Sequence, residues 1–282
     1  MISIRDLSFS YKREKLFSEL NLFLEPGNIY GLLGKNGAGK TTLLKLICGL
    51  RFPKKGECRV LGYNPAERPA HLLEDICFIS EDLYVPPIHP LLFERIYAPL
   101  YPKFRHDAFL EHLREFELDT GKRLTEQSAG QKKKFLLAFG MASNCRILLM
   151  DEPTNGLDIP SKTQFRRLLA RSCADDQIIL ISTHQVRDME NLIDPIIILE
   201  QGQIIFKQPV QEAARRLTVT MEREEPQEGS AVYAEKTLGG YVVVRKNTSG
   251  EETNIDLETL FNTVIGSRDK VRDIFETAGK GA

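Results

Sequence analysis

Three short stretches of this sequence combine residue types in the way that chemistry on a phosphate ester requires. The first is Gly34-Lys35-Asn36-Gly37-Ala38-Gly39-Lys40-Thr41-Thr42, which fits the pattern GxxxxGK[ST]. Its glycines let the backbone curl until its N–H groups point into one concavity. A helix N-terminus behind that concavity favours anions through its dipole and its free amides. Lys40 can then reach the β- and γ-phosphates of a nucleoside triphosphate, and the Thr41 hydroxyl can ligate Mg²⁺. Alone, the loop says only that a nucleotide binds, which kinases and GTPases also do. The second stretch is Ile147-Leu148-Leu149-Met150-Asp151-Glu152, an apolar run that delivers two carboxylates to its tip. Parallel α/β sheets hold ligands at that edge. Asp151 is suited to hold Mg²⁺ through water, and Glu152 to polarise the attacking water as a general base. An Asp-Glu pair at a strand end is ordinarily solvated surface; the phosphate loop upstream turns the reading to function. The third stretch is Ser182-Thr183-His184, just past another apolar run. There His184 is placed to hydrogen-bond a γ-phosphate and its attacking water, which positions rather than transfers protons.

These groups need a scaffold that brings strand ends and a helix start together. Asn28–Leu33 reads as a short buried strand that runs straight into the glycine-rich loop. Thr41–Leu50 follows as a helix with Leu43, Leu44, Ile47 and Leu50 on its apolar face. That strand–loop–helix order is the context a phosphate loop requires. Arg146–Met150, Ile178–Ser182 and Pro195–Leu199 are uninterrupted apolar runs of the kind parallel buried strands show. Partial alternation before Glu25-Pro26-Gly27 predicts strands at the N-terminal end. Between about 82 and 145 the chain changes character. Pro86, Pro87, Pro90, Pro99 and Pro102 cluster and helical patterns such as Ala108–Phe116 follow, which predicts a helical insertion. After about Ala214 comes an acidic, polar segment, Glu222–Gly229, then a strand pattern at Tyr241–Arg245 and a helix pattern at Leu257–Ile265.

Composition bounds the rest. With 282 residues the chain can bury a real core. Thirty-eight basic against 39 acidic side chains give a net charge of -1, which argues against a broad nucleic-acid or anionic-lipid surface. Cys48, Cys58, Cys77, Cys145 and Cys173 are odd in number with no CxxC pair, and read as buried apolar thiols. No stretch approaches the roughly 18 apolar residues that cross a bilayer. Met1–Lys15 has no apolar segment with a small-residue cleavage site, so a cytoplasmic location is expected, with any membrane association through a partner.

Beyond these elements, residues 1 to about 210 resemble the ATP-binding cassette (ABC) family. The family carries a signature, LSGGQ, about twenty residues before the acidic strand end. Here that place holds Gln127-Ser128-Ala129-Gly130-Gln131, matching at Ser128, Gly130 and Gln131 and departing at Gln127 and Ala129. Ser128 is expected to cap a helix beginning near Ala129. In the family that helix start faces the γ-phosphate held by the other subunit, so the resemblance implies a dimer around two MgATP. Ala129 adds a Cβ where the family usually has none. Lys132–Lys134 read as a solvated helix face. Pro153-Thr154-Asn155-Gly156-Leu157-Asp158 corresponds to the loop that crosses the dimer interface, with Asp158 as its aspartate. Tyr11 stands where the family stacks an aromatic on adenine. The widest departure is Phe78-Ile79-Ser80-Glu81-Asp82, where Glu81 replaces a Gln that contacts Mg²⁺ and water; a carboxylate there also ligates Mg²⁺ through oxygen.

The resemblance implies an α/β fold. It has a P-loop NTPase core of mixed, largely parallel sheet, an antiparallel β subdomain and a helical insertion. The expected division is an ATPase domain over 1–215 and a small extension over 216–282. It implies ATP and Mg²⁺ as ligands and ATP hydrolysis as the activity. The expected binding set is Tyr11, Gly34, Asn36, Gly37, Ala38, Gly39, Lys40, Thr41, Thr42, Ser128, Gly130, Gln131 and Asp158. Glu152 and His184 are the expected catalytic residues and Thr41, Glu81 and Asp151 the expected metal ligands. The partners implied are a second copy of the chain and an integral membrane subunit, which would hold the protein on the inner face of the cell membrane. The continuation Gln131–Phe139, with Tyr101–Phe104 and Leu257–Phe261, resembles exporter-type more than importer-type cassettes. The alternative within the family is a soluble ATPase acting in macromolecular assembly.

Overall fold

The computed structural model describes residues 1–250 and 252–276. Residue 251 and residues 277–282 of the expected C-terminal extension lie outside the described residues. In chain order the first elements are β1 (Ile2–Tyr11), β2 (Glu14–Leu24), β3 (Asn28–Leu33), α1 (Lys40–Ile47), β4 (Lys55–Val60), α2 (Ala70–Leu73) and β5 (Ile76–Ile79). The helical stretch follows as α3 (Pro90–Tyr97), α4 (His106–Glu115) and α5 (Ala129–Ala142). Then come β6 (Ile147–Asp151), α6 (Ile159–Ser172), β7 (Ile178–Thr183), β8 (Ile196–Glu200) and β9 (Gln203–Gln208). The chain closes with α7 (Val210–Arg216), β10 (Leu217–Glu222), β11 (Tyr233–Thr237), β12 (Gly240–Lys246), α8 (Leu257–Gly266) and α9 (Arg268–Glu276).

The central sheet has the order β5-β6-β7-β3-β8-β9. Its first five strands run parallel and β9 returns antiparallel beside β8, so the sheet is mixed. Strands this apolar must be covered on both faces, and they are. Ile147 and Leu149 of β6, with Tyr30, Leu32, Ile178, Leu180, Ile197 and Leu199, point into one core shared with α1 and the antiparallel sheet β2-β1-β4. Leu148 and Met150, with Leu33, Ile179, Ile181, Ile196 and Ile198, point into a second core. There they meet α5, α6 and an aromatic cluster in which Phe93 sits edge-on to both Phe135 and Phe139, each with ring centroids 5.1 Å apart. The alternation follows from the two-residue period of a strand.

The end of the chain packs a third sheet, β10-β12-β11, and α8 on this second core through Leu217, Val244, Leu257 and Leu260. Arg187, in the turn after β7, forms an ion pair with Glu258 of α8. No helix among the described residues is long and apolar enough to cross a membrane.

Four of the five cysteines are buried and Cys173 is half-buried. Burial pushes the Cys48 and Cys77 thiols up to about 11 and that of Cys58 to about 12. The thiolate is the reacting form, so at pH 8 an aromatic disulfide reagent should label only Cys173 quickly in the native protein. All five should react in denaturant. Fast native labelling of Cys48, Cys58 or Cys77, read by peptide mass mapping, would contradict this packing.

Candidate functional site

The parallel register fixes where the chemistry-bearing residues emerge. Leu33 at the end of β3 pairs with Thr183 at the end of β7, and Ser182 of β7 pairs with Asp151 at the end of β6. Gly34, His184 and Glu152 therefore leave three adjacent strands at one edge of the sheet. From that edge the glycine-rich loop wraps into α1. Gly39, at φ 106°, precedes the first residue of the helix. A Cβ at Gly39 would lie 2.8 Å from the Phe17 ring, and one at Gly34 2.5 Å from the Leu199 carbonyl. Gly39 is thus required by close approach and by conformation, and Gly34 by close approach.

Asn36–Thr42 of the loop, Tyr11, Glu81 and Glu152 line a single cavity of about 460 Å³, with Gly34 behind it, its carbonyl held by Lys40. At its floor, Lys40 Nζ donates to the Gly34 carbonyl at 2.7 Å and lies 3.7 Å from Glu152 Oε1. His184 Nδ1 is 2.8 Å from the same Glu152 Oε1, and the His184 amide donates to Oε2 at 3.3 Å. Asp151 is 1% exposed; Oδ1 accepts from the Ser182 hydroxyl, while Oδ2 is buried with no partner. A buried carboxylate oxygen left unpaired is costly, and a cation or its water shell supplies what that atom lacks. The unpartnered oxygen of Asp151 therefore fits a cation such as Mg²⁺. No cluster of three or more His, Cys, Asp or Glu side chains forms a metal cage by itself among the described residues. At the mouth, the Tyr11 hydroxyl shares a 3.1 Å hydrogen bond with the Thr42 hydroxyl, and the Arg51 guanidinium lies 5.9 Å from the centre of the Tyr11 ring. Glu81 Oε1 accepts from the Asn155 side-chain Nδ2 at 2.9 Å.

The remaining expected residues are not in this cavity. Ser128, Gly130, Gln131 and Asp158 line a separate one of about 470 Å³, with Gly156 and Ser161. Ser128 caps α5: its hydroxyl accepts from the Gln131 amide at 3.2 Å, and the Gln131 side chain accepts from the Ser128 amide at 2.9 Å. This reciprocal pair is a capping box. Asp158 caps α6 by accepting from the Ser161 amide; hydrogen bonding from the Ser161 side chain, and then from that amide, lowers its carboxyl below the usual range.

Two expectations are overturned. The helix after the loop ends at Ile47, which leaves Leu50 exposed rather than on its apolar face. Lys132–Lys134 do not form a solvated face, because Lys133 is 3% exposed and its Nζ donates to the Glu152 carbonyl at 2.8 Å. The helix is buried on most sides, through Phe135, Leu137, Ala138, Phe139, Met141 and Ala142, so the chain offers no polar stripe for all three lysines. Three further groups carry no sequence signal of their own: Ser182 on Asp151, Asn155 on Glu81 and Arg51 beside Tyr11.

Comparison with known proteins agrees with this geometry. A family model described as ABC transporter matches residues 17–155. The bacitracin transport ATP-binding protein BcrA of Bacillus licheniformis is 31% identical over 223 residues, 77% of this chain and 72% of that protein. The Nod factor export ATP-binding protein I of Rhizobium etli is 31% identical over 224 residues, 72% of this chain and 66% of that protein. Among solved structures, a dimeric post-hydrolysis state of the ATP-binding cassette MJ0796 with ADP and Pi superimposes with a TM-score of 0.64 at 22% identity. It covers 74% of this chain and 98% of that one, and shows the shared fold.

The close approach at Gly34 yields a quantitative expectation. Gly34→Ala forces the loop or β8 to move, at ~1–3 kcal/mol for overpacking, which is a fall in Tm of roughly 3–10 °C for a domain of this size. Thermal unfolding with and without ATP measures it; an unchanged Tm would refute the contact.

Proposed function

Because the chain belongs to the ABC transporter family and is an ATP-hydrolysing, ATP-binding subunit, we propose that it works as a homodimer closing around two MgATP to drive an exporter-type membrane subunit. The observation that supports this most directly is the division of the binding residues between two cavities. The glycine-rich loop, Tyr11 and Glu152 line one; Ser128, Gly130 and Gln131 line the other. A helix N-terminus with free amides, 14 residues long and capped by Ser128, is suited to a phosphate that its own chain's loop does not present to it. Two copies facing each other bring the two halves together.

In the site so completed, the loop amides and Lys40 bind the β- and γ-phosphates, and Tyr11 stacks on the base. Glu152 accepts a proton from the attacking water. His184 holds Oε1 of that carboxylate through Nδ1 and turns its other ring edge to the γ-phosphate, so both groups are fixed before the nucleotide arrives. Thr41, Asp151 and Glu81 would hold Mg²⁺, which when bound neutralises charge on the β- and γ-phosphate oxygens. We read residues 1–215 as the ATPase domain and 216–282 as an extension, whose described residues pack on it.

A membrane subunit also needs a place to dock. Leu50, Phe52, Tyr84 and Leu100 are exposed apolar side chains. Leu50 and Leu100 rim a cavity floored by Leu73, Ile76 and Phe78. Exposed apolar side chains at the rim of such a cavity, here Leu50 and Leu100, mark interaction surfaces. Export, rather than import, is supported by the resemblance of the α5 sequence and by the relative whose name includes Nod factor export. In this reading the protein sits in the cytoplasm against the inner membrane face.

Two measurements test the site. Glu152→Gln should keep ATP affinity and lose roughly 10²-fold or more of turnover, and should accumulate as a dimer in gel filtration with saturating MgATP; a monomer there would refute the sandwich. Glu81→Ala should raise the Mg²⁺ concentration needed for half-maximal ATPase activity several-fold. An unchanged Mg²⁺ dependence would remove Glu81 from the metal set.

A further inference from the structure

The backbone of Glu152 is unusual, and its anchoring points to a residue outside the expected site. Glu152 has φ 47°, in the left-handed region that non-glycine residues seldom occupy. Such a conformation persists only where surrounding bonds over-determine it. Here the Glu152 amide donates to the Ser182 carbonyl at 3.0 Å, and its carbonyl accepts from the Asn155 amide at 3.2 Å. The shortest of these anchors is not local: it is the 2.8 Å bond from Lys133 Nζ, nineteen residues earlier in the chain. A charged donor makes a stronger hydrogen bond than a neutral one. The ammonium is buried, and Glu81, Asp151 and Glu152 are the carboxylates that favour its charge against that burial. A lysine held this way is expensive to place, and simple helix packing would be served by an apolar side chain.

Lys133 belongs to the same helix whose capped start lies in the second cavity. Ser128 and Lys133 are five residues apart on α5, ~7.5 Å along its axis. We propose that Lys133 is a positioning residue that ties the start of α5 to the backbone aiming the Glu152 carboxylate, so that a phosphate docking on Ser128 and Gly130 adjusts the hydrolytic group of the same chain. In the sandwich, the phosphate on α5 is held by the second copy, whereas Glu152 acts on this chain's own nucleotide. Lys133 is then a mechanical link from one ATP site to the other. This rests on the reading of Glu152 as base and of the dimer as a sandwich, both decided separately by Glu152→Gln.

The test compares Lys133→Met, which keeps length and removes the donor, with Lys133→Gln, whose amide can still donate to the carbonyl. Steady-state ATPase activity of the full chain is measured against ATP concentration, and binding is measured separately with a fluorescent ATP analogue. Lys133→Met should lower kcat about tenfold with KM and analogue affinity changed less than twofold, and its Hill coefficient for ATP should fall toward one. Lys133→Gln should recover kcat to within about threefold of the parent. Should Lys133→Met not fold, Lys133→Ala takes its place against Lys133→Gln. The proposal is overturned by parental kcat in the donor-less variant or by equal losses in both variants. It is also overturned by analogue affinity falling in parallel with kcat, which is the mark of a merely structural lysine. An unchanged Hill coefficient beside a lowered kcat would overturn the link between sites. If Glu152→Gln itself keeps its turnover, the failure belongs to the reading of Glu152.

Discussion

The parallel pairing of β3, β7 and β6 is the constraint on which everything else depends. Three strands end level with one another, so the residues that follow them, Gly34, His184 and Glu152, meet at one edge. Hydrogen-bonded strands lie about 4.8 Å apart, a spacing that puts side chains from neighbouring ends within contact. The pairing cannot slip. Ile147 and Leu149 belong to one core and Leu148 and Met150 to the other, and a shift of one residue would exchange them. Two cores on opposite faces thus lock the register, and the register locks the distances between loop, carboxylates and histidine. The cost of that lock falls on the strand tips. Glu152 must turn sharply out of β6 in a left-handed conformation, with Ser182 opposite as its first anchor.

Charge is the second constraint and follows from the first. Ending β6 in Asp151 and Glu152 inside the sheet edge leaves both carboxylates almost wholly buried. Burying ionised groups without partners is prohibitive, so the fold brings compensation from three directions. Lys40 comes from the glycine-rich loop, His184 from β7, and Lys133 from α5. Of the four carboxylate oxygens of Asp151 and Glu152, Asp151 Oδ2 is left without a partner, and it is the atom a cation would need. The lysines differ in what they hold. Lys40 donates to the Gly34 carbonyl of its own loop and faces a Glu152 carboxylate oxygen in the cavity, whereas Lys133 donates to the Glu152 backbone carbonyl.

How much of this could be read from the sequence depends on whether a residue's role is local. The strand Asn28–Leu33, the glycine-rich loop and the acidic tip of β6 are contiguous, and their spacing alone states the strand–loop–helix geometry. The cap at Ser128 was equally legible, because a capping box is written within four residues. Residues whose partners are distant in the chain left no such trace. Lys133 sits in a run of three lysines, and α5 is apolar on nearly all sides, so helical periodicity gave no way to tell a buried lysine from a solvated one. The edge strand β9, with its mixed QIIFKQ pattern, also lacked the alternation that marks a strand, and in β4 only Cys58 and Val60 are buried. Asn155 meets Glu81 across 74 residues of sequence, a contact only the folded chain defines.

That last contact bears on why a Glu stands at position 81. A glutamine there would be neutral. Glu81 adds a third carboxylate near Asp151 and Glu152, and three negative groups facing one phosphate would repel it unless each were engaged. In the folded chain each is. Asp151 is held by Ser182, Glu152 by Lys40 and His184, and Glu81 by the Asn155 side-chain amide from the loop that also leads to Asp158. The same loop carries Gly156, whose carbonyl lies 3.4 Å from where a Cβ on Gly130 would stand. The helical insertion, the acidic strand end and the start of α5 therefore all converge on the 153–158 segment. A displacement of that segment would change the partner of Glu81 and the packing of Gly130 together. Glu81 thus sits against the one segment that also packs on the start of α5, which a metal contact alone would not require.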